Sequence, residues 1–210
     1  MKKLAASLIL LTLLSAAETR AQGQVSYEFN AAKSKLELDV YKEGLFKAFG
    51  HNHLVAAKEF SGRVVLDVKK IENSSVTLRI AAGSLVVLDS GNSEKDRRSV
   101  QSMMLGEKVL DTARFPEIVF TSAQVAKAEK MPNGWNLTVA GILRLHGLEK
   151  RISLPVTLRL NGADLDVRGE TILRQGDYGI VPVRIAGGAV KVKDAVRIRF
   201  EIHARAAVRP

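Results

Sequence analysis

From Trp135 to the C-terminal region, apolar and polar residues alternate with a period of two. Trp135, Leu137, Val139, Leu143 and Leu145 share one register. Ile152, Leu154, Val156, Leu158 and Leu160 follow, then Leu165, Val167 and Leu173, then Val196, Ile198, Phe200 and Ile202. Between them stand Arg144, Arg151, Arg159, Asp166, Arg168, Arg197, Arg199 and Glu201. Successive side chains of a strand point to opposite faces, so this pattern predicts antiparallel sheet with one dry face and one wet face. A one-sided sheet has to bury its apolar face against another layer, against itself, or against a guest.

The preceding half carries weaker copies of the same pattern. Candidate strands are Gln24 to Asn30, Lys35 to Tyr41, Phe60 to Val68, Ser75 to Ala82 and Glu117 to Val125. Asn133-Gly134 and Asn161-Gly162 supply the residue types of tight hairpin turns and predict a meander in the second half. At Ser93 the period changes. Ser93 and Asp96 are spaced as a capping box, and Val100, Met103, Met104 and Val109 recur near a helical face. Phe115-Pro116 stops that helix, and a second short helix is expected between Gly44 and Gly50. Eight or nine strands with so little helix to cover them predict an all-β fold: an antiparallel barrel of about eight strands with one or two short helices covering an end. Gly141 and Gly169 fall on the inward register, where they either let a strand bend or leave room for a guest.

The first residues do not belong to that pattern. Lys2 and Lys3 precede an uncharged apolar run from Leu4 to Leu14, followed by the small residues Ser15, Ala16 and Ala17, with a further cleavage point after Ala21. This reads as a signal peptide over residues 1–21, leaving one domain over residues 22–210 that is periplasmic or secreted. The run is short of the roughly 20 apolar residues of a membrane span. The chain has no cysteine, so no disulfide staples it and no thiolate binds metal. The net charge of +10 becomes +8 on cleavage, since Lys2 and Lys3 leave and the later cut removes Arg20 together with Glu18. Such a charge suits an anionic membrane surface. Its spread along the wet register and the scarcity of aromatics argue against nucleic acid. Either a monomer or a homodimer paired through edge strands is compatible with the pattern.

No nucleophile-elbow Gly-x-Ser-x-Gly, His-Glu-x-x-His, phosphate-binding glycine loop or dinucleotide fingerprint occurs, and the chain is read as a non-enzyme. Two histidines, His51 and His53, are one residue apart and project to one side of an extended segment. With His146 as a third ligand they form a candidate transition-metal site. The alternative is that His51 and His53 hydrogen-bond a loop and that His146 satisfies its own turn with Gly147. His203 lies on the wet register.

The run from Val109 through Phe115-Pro116 to Ser122, the run Val139 to Pro155, and the pieces Phe60-Ser61-Gly62, Ser90 to Arg98 and Gly176-Asp177-Tyr178-Gly179-Ile180 together resemble the YceI-like family of exported, lipocalin-like proteins. The stretch Gly50-His51-Asn52-His53 is similar to a subgroup with a Gly-His-x-His element. The resemblance implies an elongated apolar cavity that binds a polyisoprenoid or a similar long-chain amphiphile, with no cofactor required. Residues expected to line that cavity are Leu137, Val139, Leu143, Leu154, Val156, Leu158, Val167, Ile198 and Phe200, with Phe46, Phe49 and Leu54 at the entrance. The second functional expectation is a metal-binding or redox-associated accessory protein acting through His51 and His53.

Overall fold

The computed structural model describes residues 23–43, 52–91, 93–185 and 190–207. The expected signal peptide and the expected helix between Gly44 and Gly50 lie outside these residues. Among the described residues, twelve strands and one α-helix follow one another as β1 (Gln24–Phe29), β2 (Lys35–Glu43), β3 (His53–Ala57), β4 (Phe60–Asp67), β5 (Ser75–Ala81), β6 (Leu85–Val87), α1 (Glu94–Leu105), β7 (Glu117–Met131), β8 (Gly134–Leu145), β9 (Leu148–Asn161), β10 (Asp164–Arg174), β11 (Arg184–Ile185) and β12 (Val190–Ala206).

Every strand pairing among the described residues is antiparallel, and eight strands close on themselves in the order β1-β4-β5-β7-β8-β9-β10-β12, with β12 returning to β1. Closure gives the oily face of a long meander somewhere to go without long helices to cover it. The remaining edge of β12 pairs with β2, which carries β3 and then β6. Sequence alternation and observed burial agree on β8, where Leu137, Val139 and Leu143 are buried while Asn136 and Arg144 are exposed.

Three hairpin turns join the later strands. Each has two residues, but two of them sit one residue away from the expected positions. The pairs Met131↔Gly134 and Asn161↔Asp164 close the loops, so Pro132-Asn133 and Gly162-Ala163 are the central residues. In the third, His146 and Gly147 have φ of 51° and 75°, the pair of positive angles that lets a two-residue turn follow the twist of its strands.

Helix α1 begins as its sequence predicts, with the Ser93 hydroxyl accepting from the Asp96 N–H at 3.1 Å. It is fixed to β6 through Gln101, whose amide nitrogen donates to the Leu85 carbonyl at 2.6 Å while its oxygen accepts from the Val87 N–H at 2.8 Å. The side chain thus does for the β6 edge what a further strand would do.

The inward glycines explain how the wall is packed. A Cβ on Gly169 would come within 2.5 Å of Phe200 Cζ, and one on Gly141 within 2.7 Å of the Phe120 ring. Gly62 relates to Phe29 in the same way. The expectation that Gly141 and Gly169 leave room for a guest does not hold. The space their missing side chains vacate is filled by a phenylalanine ring lying across the wall.

Candidate apolar cavity and its mouth

The strands enclose a cavity of about 260 Å³. Leu137 and Leu145 both line it although eight residues separate them on β8, so it runs on the order of 25 Å along that strand and about 20 Å along the tilted barrel axis. Spread over that length, the volume is an elongated space rather than a round one. Its middle is entirely aliphatic and aromatic, contributed by all eight strands of the closed barrel.

The two ends differ. At one, the loop from β4 to β5 folds over the opening. Asp67 Oδ1 accepts from the N–H groups of Lys69 and Lys70 at 3.0 and 2.9 Å, and the Ser74 hydroxyl accepts from the Asp67 N–H at 3.0 Å. These bonds set a 3-10 turn over Ile71–Asn73 that drives Ile71, 6% exposed, onto the end of the cavity beside Ser74 and Ser75. At the other end, Met104 of α1 and the following Val109 and Leu110 reach the lining from one side. From the opposite side come Thr171, Arg174, Gln175 and Ile180. Arg174 is 70% exposed, and its guanidinium lies 3.8 Å from Asp194. The elongated space therefore has one end covered by Ile71 beside two serines and a mouth where a cation and an amide meet water.

Nine of the expected wall residues line the cavity: Leu137, Val139, Leu143, Leu154, Val156, Leu158, Val167, Ile198 and Phe200. Leu54 does not. On β3 the inward place is taken by its neighbour Val55, 2% exposed, while Leu54 pairs with Asp39 on the outer register. Phe46, Phe49 and His51 lie outside the described residues. Sequence reading missed the share of the first half of the chain. Phe29, Leu36, Leu38, Val40, Val64 and Leu78 line the cavity on the same period of two, a signal present in those strands. Ile71, Met104 and Ile180 come from turns and a helix, where alternation gives no guide.

The described histidines have separate partners. His53 continues the inward register of β3 one position beyond Val55, at the rim. Its Nδ1 lies 2.5 Å from Asp89 Oδ2, and the other oxygen of this buried carboxylate accepts from the Leu54 N–H at 2.9 Å. His146, in the β8–β9 turn, places Nδ1 3.1 Å from the Tyr178 carbonyl and its ring edge-on to Phe115 at 4.8 Å. Since a carbonyl only accepts, that nitrogen carries the proton. Among the described residues no group of three His, Cys, Asp or Glu side chains is arranged to hold a metal ion. His203 pairs with Asp166 on the outer face.

One stretch of wall lacks a backbone ladder. Strands β9 and β10 pair from Asn161↔Asp164 to Val156↔Gly169 and then part, although β9 continues to Leu148 against β8 and β10 continues to Arg174 against β12. Counting alternate bonded pairs back from the two-residue turn, the next rung joins Pro155 and Glu170. Proline has no N–H to donate, so the ladder ends there. The 3-10 turn Gln175–Tyr178 follows β10 at the resulting slit. Tyr178 is 1% exposed, and its phenol oxygen has no hydrogen-bond partner among the described residues. Burial pushes this phenol above its ordinary pKa of 10.0, and the neighbouring Asp177 carboxylate adds to the shift. Burial raises Tyr27 in the same direction.

Residues 27–204 match the family model of the YceI-like domain. The chain is 26% identical over 141 residues to Protein YceI of Salmonella newport, covering 64% of this chain and 67% of that protein. Among solved structures it is similar to Burkholderia cenocepacia BcnA, with a TM-score of 0.65 at 23% identity over 83% of this chain and 98% of that one. It is also similar to a polyisoprenoid binding domain from Saccharophagus degradans implicated in plant cell wall breakdown, with a TM-score of 0.61 at 16% identity over 87% and 99% of the two chains.

Proposed function

We propose, from the premise that this chain belongs to the YceI-like family, that it is a binding protein whose barrel holds the hydrocarbon chain of an isoprenoid or other long-chain amphiphile, with the polar head at the mouth. The observation that carries this reading is the cavity itself. At about 24 cal/mol per Å³, leaving 260 Å³ of apolar wall unpacked costs on the order of 6 kcal/mol, comparable with the whole stability of many domains. An apolar guest restores those contacts. The space is elongated as a hydrocarbon chain is, and its dry centre would leave a polar or charged substrate without partners. At the mouth, Arg174, Gln175 and Thr171 offer a cation, an amide and a hydroxyl to a head group. A solved relative in fold is described as a polyisoprenoid binding domain, which supports the isoprenoid class.

The function so proposed is carriage or storage without chemical conversion, outside the cytoplasm after removal of residues 1–21. The test is purification of the expressed chain without detergent, organic extraction, and mass spectrometry of the extract beside N-terminal sequencing of the mature protein. A long-chain amphiphile near one equivalent is expected, with a mature terminus after Ala17 or Ala21. If no lipid is recovered and none is taken up on exposure to isoprenoid alcohols or fatty acids, the reading is wrong.

A further inference from the structure

The outside of the barrel is not uniform. Six large apolar side chains stand exposed among the described residues, and three of them, Leu148, Ile172 and Val181, border the slit between β9 and β10. Ile172 is 63% exposed and Val181 72%. Leu148 Cδ1 would lie 3.5 Å from a Cβ on Gly179, the residue that ends the 3-10 turn, and Val181 follows two residues later. Just inside the same slit, Leu154 of β9 and Leu173 of β10 line the cavity. This outer apolar patch is therefore continuous with the inner one.

The charges around it are mainly positive. Arg151 stands on the outer register of β9 and Lys150 at the rim on its inward register, with Arg174 on β10, Arg184 on β11, and Lys193 and Arg197 on β12, Arg197 directly opposite Ile172. The acids on this side are Glu149, Glu170, Asp177 and Asp194. Arg174 is matched by Asp194, whereas Lys150, Arg151 and Arg197, like the acids Glu149, Glu170 and Asp177, make no ion pair among the described residues, and Asp39 stands opposite Arg197. Farther round β12, Arg199 is held by both Glu37 and Asp39. Unmatched cations around a few projecting aliphatic tips suit a surface that is negative outside and oily beneath. They do not suit a second copy of the chain, because a two-fold contact here would bring the same cations together.

We propose that the face around the β9–β10 slit docks on an anionic lipid bilayer, setting the slit against the lipid from which the cavity takes its occupant. The proposal rests on the lipid-binding reading above. It is tested by sedimenting the full mature chain with vesicles of phosphatidylcholine alone or mixed with phosphatidylglycerol. Binding only to the mixed vesicles, weakened by added salt, is expected. Each cation near an anionic surface contributes roughly fivefold to partitioning, so Arg151→Glu with Arg197→Glu lowers it by roughly 25-fold or more. Ile172→Asp with Val181→Asp lowers it at least about tenfold. Met103→Asp, on the exposed side of α1, leaves it unchanged. Normal vesicle binding by both double variants overturns the proposal, as does a wild-type chain that ignores the mixed vesicles. A dimer lost in Ile172→Asp, with no vesicle binding, overturns it too. Uptake of a fluorescent fatty acid supplied in free solution separates the two readings. Docking variants that still take up the probe lack only the surface, whereas a wild-type chain that takes up none refutes the lipid-binding reading itself.

Discussion

Replacing Val139 with phenylalanine is the sharpest test of whether the middle of the barrel is a hollow. Val139 sits halfway along β8, points inward at 7% exposure and lines the cavity. Both side chains favour strands, so backbone preference nearly cancels. The ring adds about 50 Å³, and filling that much cavity at about 24 cal/mol per Å³ returns on the order of 1.2 kcal/mol. For a chain of this size that is a rise in Tm of about 3 °C. The control is Ala204→Val, which also adds about 50 Å³ and also gains strand preference, at an inward site 3% exposed that faces Phe29 and Leu165 and does not line the cavity. With no space to occupy, that change is expected to lose about 1–3 kcal/mol. Thermal and urea unfolding of lipid-free protein read both numbers, and lipid uptake by Val139→Phe should fall because the cavity is obstructed. If Val139→Phe is destabilised as much as Ala204→Val, the interior is packed solid and the argument from cavity volume collapses.

Other perturbations test the parts that shape this wall. Gly169→Ala drives a Cβ to 2.5 Å from Phe200 Cζ and 2.6 Å from the Pro155 carbonyl, so a loss of about 1–3 kcal/mol in urea unfolding is expected. Adding Phe200→Leu should recover part of that loss, and strictly additive effects would contradict a shared contact. Tyr178→Phe removes a buried hydroxyl that has no partner among the described residues and should stabilise by about 1 kcal/mol or leave stability unchanged. Folding favours the neutral Tyr178 phenol, so its contribution is complete below pH 10 and drains away as pH rises through the elevated folded value. Alkaline unfolding curves of Tyr178→Phe should therefore be flatter above pH 10, and identical slopes would refute this account. Gln101→Leu strips the side-chain bonds from the β6 edge. A loss of about 1–3 kcal/mol and concentration-dependent association by light scattering are expected, and a monomer of unchanged stability would show that the edge needs no cover.

Most of the later strands were legible in the residues because their facing is a local property. Val139 points inward for the same reason that Thr138 and Ala140 do not. The helix start at Ser93 was legible too, since its cap is a contact over three residues. β3 and β6 escaped because runs of five and three residues are too short to display a period. Leu54 neighbours His53 in the sequence, but one step along an extended chain turns a side chain to the other face. The hairpins were expected at Asn133-Gly134 and Asn161-Gly162 and occur one residue away. Strand pairing, which involves both partners, fixed their register.

The amino-acid order alone settled which face of the later strands is dry and that those strands had to shield a common oily face. It could not say whether the inward side chains meet in the middle. That depends on how many strands close the barrel, on where Phe120 and Phe200 lie over Gly141 and Gly169, and on Ile71 arriving from a distant turn to close one end. A void is a difference between the volume a wall encloses and the volume its side chains fill, and only the assembled wall defines the first of these. The slit beside Pro155 has the same origin. A missing N–H is visible in the sequence, but its effect emerges only when Glu170 is known to stand opposite.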